Sequence, residues 1–215
     1  MKKKKILKIV LIIIAILIAL FIVHTVRNYV IITNLQKQVS KYQDSTNYHI
    51  KSMTTESNGT VITMEYYRKD NKEALFLESN LNGEISKISV YNNGERTDTF
   101  FDTKEEKVAQ LDSGNMMSVH IVSYIETANN WHTFLESMRT NIKSTKYNGK
   151  ECYIIKGFLS IYSPGFEVGE TYIEKDTGLF VKTIENGRVG EREYEFNTIE
   201  DSIFVEPDIS QYKLK

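Results

Sequence analysis

The stretch Ile184-Glu185-Asn186-Gly187-Arg188-Val189-Gly190-Glu191-Arg192-Glu193-Tyr194-Glu195-Phe196 decides the fold class. Asn186 and Gly187 both tolerate the positive φ that the two central positions of a type I′ turn require, so the pair marks a hairpin. Beyond it, Arg192, Tyr194 and Phe196 alternate with Glu191, Glu193 and Glu195. That period of two belongs to a strand with one dry and one wet face.

The same punctuation recurs upstream at Asn58-Gly59, Asn82-Gly83, Asn93-Gly94 and Asn148-Gly149, with a further turn at Asp176-Thr177-Gly178. Asn58-Gly59-Thr60 also matches a glycosylation sequon, but a hairpin explains the same residues without a modification. In the run 152 to 162, Tyr153, Ile155, Leu159 and Ile161 oppose Cys152, Ile154, Phe158 and Tyr162, so both faces are apolar and the strand is expected to be central. Between these strands, Thr127 to Thr140 places Trp131, Phe134, Leu135 and Met138 at helical spacings, as a helix capping the sheet would. The expected architecture is mainly β (α+β): a curved antiparallel meander, half-barrel-like, capped by one or two helices.

The N-terminal part reads differently. Ile6 to Val23 is apolar apart from Lys8, eighteen positions that approach the ~30 Å hydrocarbon thickness at about 1.5 Å per residue. Lys8 lies one turn from the end, where its stem lets the ammonium reach the headgroups. Lys2, Lys3, Lys4, Lys5 and Lys8 face only His24 and Arg27 across the span, which holds the N-terminus in the cytoplasm and the rest outside. A cleaved signal peptide is the competing reading, but Phe21 to Val26 lacks small residues at the spacing a peptidase needs. The expected organisation is a basic tail at 1–5, a transmembrane helix at 6–26, a helical stalk at 27–42 and one β domain at 43–215. On the stalk, Ile32, Leu35, Val39 and Tyr42 share a side, either packed on the chain's own sheet or forming a dimer seam.

Composition narrows the partners. Of 27 Lys and Arg, six precede residue 28 and no acid does, so the remainder carries 21 basic against 28 acidic residues, a balance of −7. Nucleic acid and anionic lipid headgroups both demand a basic face, so this domain is expected to bind neither nucleic acid nor anionic lipid electrostatically. The single cysteine, Cys152, excludes an internal disulfide and fits a small core residue.

No motif class assembles chemistry. His24, His49, His120 and His132 share no metal-ligand spacing, and neither a phosphate loop nor a nucleophile elbow occurs. Ser210 and Lys213 match Ser-x-x-Lys only at the chain's end. The Glu191, Glu193, Glu195 row, spaced about 7 Å apart, reads as a solvated stripe that discourages edge aggregation. No catalytic residues, no metal and no cofactor are expected.

The stretch Thr171-Tyr172-Ile173-Glu174-Lys175-Asp176-Thr177-Gly178-Leu179-Phe180-Val181-Lys182, with Glu193-Tyr194-Glu195-Phe196-Asn197 and Phe204-Val205-Glu206-Pro207-Asp208-Ile209-Ser210-Gln211-Tyr212, resembles the end of the lipoprotein-carrier-like superfamily. That group includes the outer-membrane lipoprotein carrier and sensor domains that bind anti-sigma factors. The resemblance implies a half-barrel whose concave apolar face accepts acyl chains or a partner segment; it transfers no individual binding residue. Two functions follow as expectations. One is a tethered, non-catalytic module holding a lipid or acyl chain between sheet and helix, on Tyr66, Phe76, Trp131, Phe134, Met138, Phe158 and Tyr172. The other is an envelope protein-protein interaction or sensor subunit with a filled core, presenting a strand edge or the acidic stripe.

Overall fold

The computed structural model describes residues 2–81, 84–114, 119–121, 130–156 and 169–215. It is mainly β with α+β character. Helix α1 spans Lys2–Gln43 and α2 spans Asn130–Arg139. The first six strands are Asn47–Thr55 (β1), Val61–Lys69 (β2), Lys72–Leu81 (β3), Glu84–Asn92 (β4), Thr97–Asp102 (β5) and Lys107–Gln110 (β6). The other six are Asn141–Tyr147 (β7), Lys150–Lys156 (β8), Glu170–Glu174 (β9), Phe180–Glu185 (β10), Arg188–Phe196 (β11) and Lys213–Leu214 (β12). Two compact units share them: unit 1 takes Met1–Val39 and Ser123–Leu179, and unit 2 takes Ser40–Val122 and Phe180–Lys215.

Unit 2 is built on the strand order β12-β6-β5-β4-β3-β2-β1-β11-β10. From β1 to β6 it is the expected meander, and β11 returns to pair with β1 on its other side. Asn186 and Gly187 adopt φ of 49° and 78°, the two positive values foreseen for the hairpin. Residues 82 and 83 lie outside the described residues, although Leu81 and Glu84 pair directly beside them. One tight turn escaped the Asn-Gly reading: Asp70, at φ 56°, and Asn71 join Lys69 to its partner Lys72. One pairing also departs from an antiparallel meander, because β12 runs parallel to β6. It does so because residues 197–212 carry the chain across the sheet before it returns to that edge.

The register sorts the strands' side chains onto two faces. On the first, Tyr67, Phe76, Tyr91 and Phe100 form a staggered ladder with successive ring centroids 5.7, 5.6 and 5.7 Å apart. The ladder works because each ring sits opposite a small residue. Ala74 pairs with both Tyr67 and Tyr91, Ser89 with both Phe76 and Phe100, and Ala109 with Phe100. Rings on neighbouring strands therefore meet diagonally, within reach of aromatic side chains. Two 3-10 turns, Asp201–Phe204 and Ile209–Gln211, lie in the strap that follows β11, and Ile203, Phe204 and Tyr212 pack on the ladder.

Unit 1 holds the three-stranded order β9-β8-β7, both helices down to Val39 on α1, and the Lys175–Leu179 turn. The expectation of a central strand at Cys152 holds for its described part: β8 lies between β7 and β9, and Cys152 and Ile155 are buried. Residues 157–168, with Phe158, Leu159, Ile161 and Tyr162, lie outside the described residues. On α1, Thr25, Asn28, Ile32, Leu35 and Val39 are buried at spacings of 3, 4, 3 and 4, a stripe that begins two turns earlier than Ile32. Gly178 fixes the upper end of this contact. Its φ is 72°, and a Cβ there would stand 2.3 Å from Leu35 O and 2.9 Å from Val39 N. Only glycine satisfies both demands.

Candidate functional site

The residues singled out from sequence separate into three groups. Tyr66 and Phe76 are in unit 2, on opposite faces: Tyr66 pairs with Ile50 and Leu75, while Phe76 pairs with Glu65 and Ser89. They therefore do not line one surface, contrary to the expectation of a common inward side. Phe76 belongs to the ladder. Tyr66 is fully buried, and its hydroxyl donates to Glu73 Oε1 at 2.7 Å. Burial and that carboxylate push the Tyr66 hydroxyl's pKa far up.

Trp131, Phe134, Met138 and Tyr172 are in unit 1. The helical spacing of the first three is as expected, but Trp131 and Phe134 face outward, while Met138 is half-buried. The buried side of α2 is Thr133, Glu136 and Ser137, while Trp131 is 63% and Phe134 38% exposed. The cause is the α1 contact. Asn28 Nδ2 donates to Ser137 O at 3.1 Å and Thr140 O at 2.7 Å, satisfying carbonyls that a helix end leaves bare. His24 Nε2 lies 3.2 Å from Thr140 O, and Arg27 donates to Ile142 O at 3.2 Å. Thr140 Oγ1 in turn donates to Glu136 O. A polar partner on α1 selects the polar face of α2, and the Glu136 carboxyl is raised above the usual carboxylate range by its burial. Tyr172 is half-buried beside Tyr147, with ring centroids 5.7 Å apart. Phe158 lies outside the described residues.

Two arrangements were not foreseen. The first is the His24, Arg27 and Asn28 docking set. Its signal was available, since Asn28 and Thr25 continue the Ile32 stripe toward the N-terminus in the same phase. The second is the face of the unit 2 sheet opposite the ladder. There Ile62, Met64, Leu75, Leu77, Ile88, Val90, Phe101 and Val108 fall on one side by register, and every one is only half-buried. At one end this face is sealed. Tyr48, Ile50 and Tyr66 are buried there, and Tyr48 donates to Val119 O at 2.8 Å.

The other candidates resolve into paired charges. Glu195 lies 3.4 Å from His49 Nδ1 and Glu191 3.5 Å from Lys182 Nζ, each directly across the ladder, so the acidic stripe is partly neutralised. A cleft of about 460 Å³ beside the strap is lined by Lys72, Glu73, Tyr91, Asn92, Asp201 and Glu206. Its charges are matched through Lys72–Asp201 and Arg96–Glu206, each at 3.5 Å. Burial, assisted by Glu174, pushes the Cys152 thiol up and away from thiolate chemistry. Among the described residues no three His, Cys, Asp or Glu side chains are grouped to hold a metal ion.

No protein-family model matches the chain, and no curated protein matches it. Solved structures align with it at low identity. An uncharacterized conserved protein from Thermus thermophilus is 11% identical over 85% of this chain and 98% of that one, with a TM-score of 0.44. MucB, in complex with MucA(peri), is 9% identical over 79% of this chain and 57% of that one, with a TM-score of 0.36. A LolA superfamily protein from Nitrosomonas europaea is 10% identical over 81% of this chain and 97% of that one, with a TM-score of 0.24. These structures lend this chain no residue and no activity.

Proposed function

We propose that this chain is a membrane-anchored, non-catalytic binding module whose ligand is a lipid or acyl chain, taken up on the half-covered apolar face of the unit 2 sheet. The row from Ile62 to Val108 carries the reading. Eight large apolar side chains share one face, none is fully buried, and a flexible chain laid across them would remove that surface from water at about 25 cal/mol per Å². The sealed end at Tyr48 and Tyr66 gives the surface a closed side and an open one. α1 is long and apolar enough to cross a bilayer, and none of its apolar window is buried. Its lysine-rich start is assigned to the cytoplasm and the chain beyond the span to the outside.

The test uses the full chain in nanodiscs, titrated with a fluorescent fatty acid. Saturable binding that is lost in Leu77→Asp and Val90→Asp, with ladder-face Thr63→Asp unaffected, is the expected result. Equal binding by all four proteins would overturn the reading. Crosslinking in native membranes asks the competing question, since a single protein trapped at Leu77 or Val90 would make this face a protein-docking surface instead.

A further inference from the structure

α2 is assembled inside out relative to an ordinary surface helix. Its buried side is polar and its exposed side is aromatic, with Trp131 and Phe134 stacked at 5.7 Å. Among the described residues of unit 1, the exposed large apolar side chains are those of α1 up to Val30 and this pair. An aromatic pair left in water is unfavourable, whereas indole and phenyl rings at the headgroup level of a bilayer are favourably placed.

The position of α2 along α1 says what covers the pair. α1 carries exposed apolar surface past the uninterrupted apolar run that ends at Val23, because Val26 and Val30 are 55% and 51% exposed. Seven residues separate Val23 from Val30, about 10 Å of helix. α2 is bonded to α1 through His24 and Asn28, within that same stretch. We infer that α2 lies on the outer surface of the bilayer, with Trp131 and Phe134 in the boundary between headgroups and acyl chains, so that unit 1 is seated on the membrane by two contacts, the span and this aromatic pair. The occupant of the aromatic face is the lipid surface. Arg139, exposed on the same helix, is suited to meet a phosphate.

The inference rests on α1 being a membrane span, and the test separates the two. Trp131 is the single tryptophan of the chain. The full-length protein is reconstituted into phosphatidylcholine and phosphatidylglycerol vesicles, with or without bromine on the acyl chains, and floated on a density gradient. Co-flotation with Trp emission about two-fold lower in the brominated vesicles supports the inference. Co-flotation with equal emission in both vesicles leaves the span intact and overturns the seating of α2, whether that emission is that of exposed or of protein-buried indole. Protein that stays at the bottom of the gradient overturns both. The double variant Trp131→Phe, Phe134→Trp moves the probe by one turn and is expected to be quenched similarly.

Discussion

Tyr91 and Phe100 are 8% and 2% exposed, while their chain neighbours Val90 and Phe101, on the other face of the same sheet, are only half-buried. The strands, the register and the apolar character are shared. What differs is a cover: the strap carrying Ile203, Phe204 and Tyr212 closes one face, and no described element closes the other to the same degree. A sheet face becomes core only when something is laid on it, which is why one of these faces reads as scaffold and the other as a surface with a use.

The largest expected effect compares one residue type at adjacent positions. Phe100→Ala should lower unfolding stability by about 3–5 kcal/mol through the cavity it leaves. Phe101→Ala should cost about 1–2 kcal/mol, having less contact to lose. Urea denaturation of the full chain in detergent, followed by circular dichroism, measures both, and equal losses would erase the distinction between the faces. Next comes the gap that seats the rings. Ala74→Leu, between Tyr67 and Tyr91, is expected to destabilise by about 1–3 kcal/mol through overpacking, while Leu75→Phe on the open face is expected to be nearly neutral.

Tyr66→Phe probes the sealed end of the open face. It removes the 2.7 Å hydrogen bond to Glu73, a carboxylate only 7% exposed, and should cost about 1–3 kcal/mol. Loss of fatty-acid binding at unchanged stability would instead make that hydroxyl part of the ligand surface.

The smallest effect is a pH dependence of the strap. Burial, with the Asp98 carboxylate beside it, raises the Glu206 carboxyl above its ordinary value of 4.5. The folded state then binds this proton more tightly than the unfolded chain does. The contribution is full below about 4.5 and is lost as pH rises through the raised folded value. Asp201 works the other way, because Lys69 holds it below 3.8 and its contribution fades only in stronger acid. Amide exchange in residues 203–206, corrected for intrinsic rates, should therefore be slower at pH 5 than at pH 7, and Glu206→Gln should flatten the difference. An unchanged slope in that variant would place the pH dependence elsewhere.

Much of this was legible beforehand because it depends on neighbours in the chain. Asn148-Gly149 and Asn186-Gly187 turn as expected since positive φ is a property of those residues. The Arg192, Tyr194, Phe196 alternation faces as expected since strand parity is local. The helical spacing of Trp131, Phe134 and Met138 was visible for the same reason. The outward direction of Trp131 and Phe134 was not, because it is set by Asn28, more than a hundred residues from Ser137. Tyr66 and Phe76 were assigned one side on their apolar character, and only the pairing with β1 and β4 separates them.

The sequence by itself determined a greasy segment long enough to span a bilayer, a basic start before it, and a chain of hairpins behind it. Each is written in residues close enough along the chain to act on one another directly. The tertiary structure alone decided which faces are covered, since the strap over the ladder and the polar grip of α1 on α2 join distant segments. Where binding surface remains is a question of what is left uncovered, and no local pattern of residues carries that information.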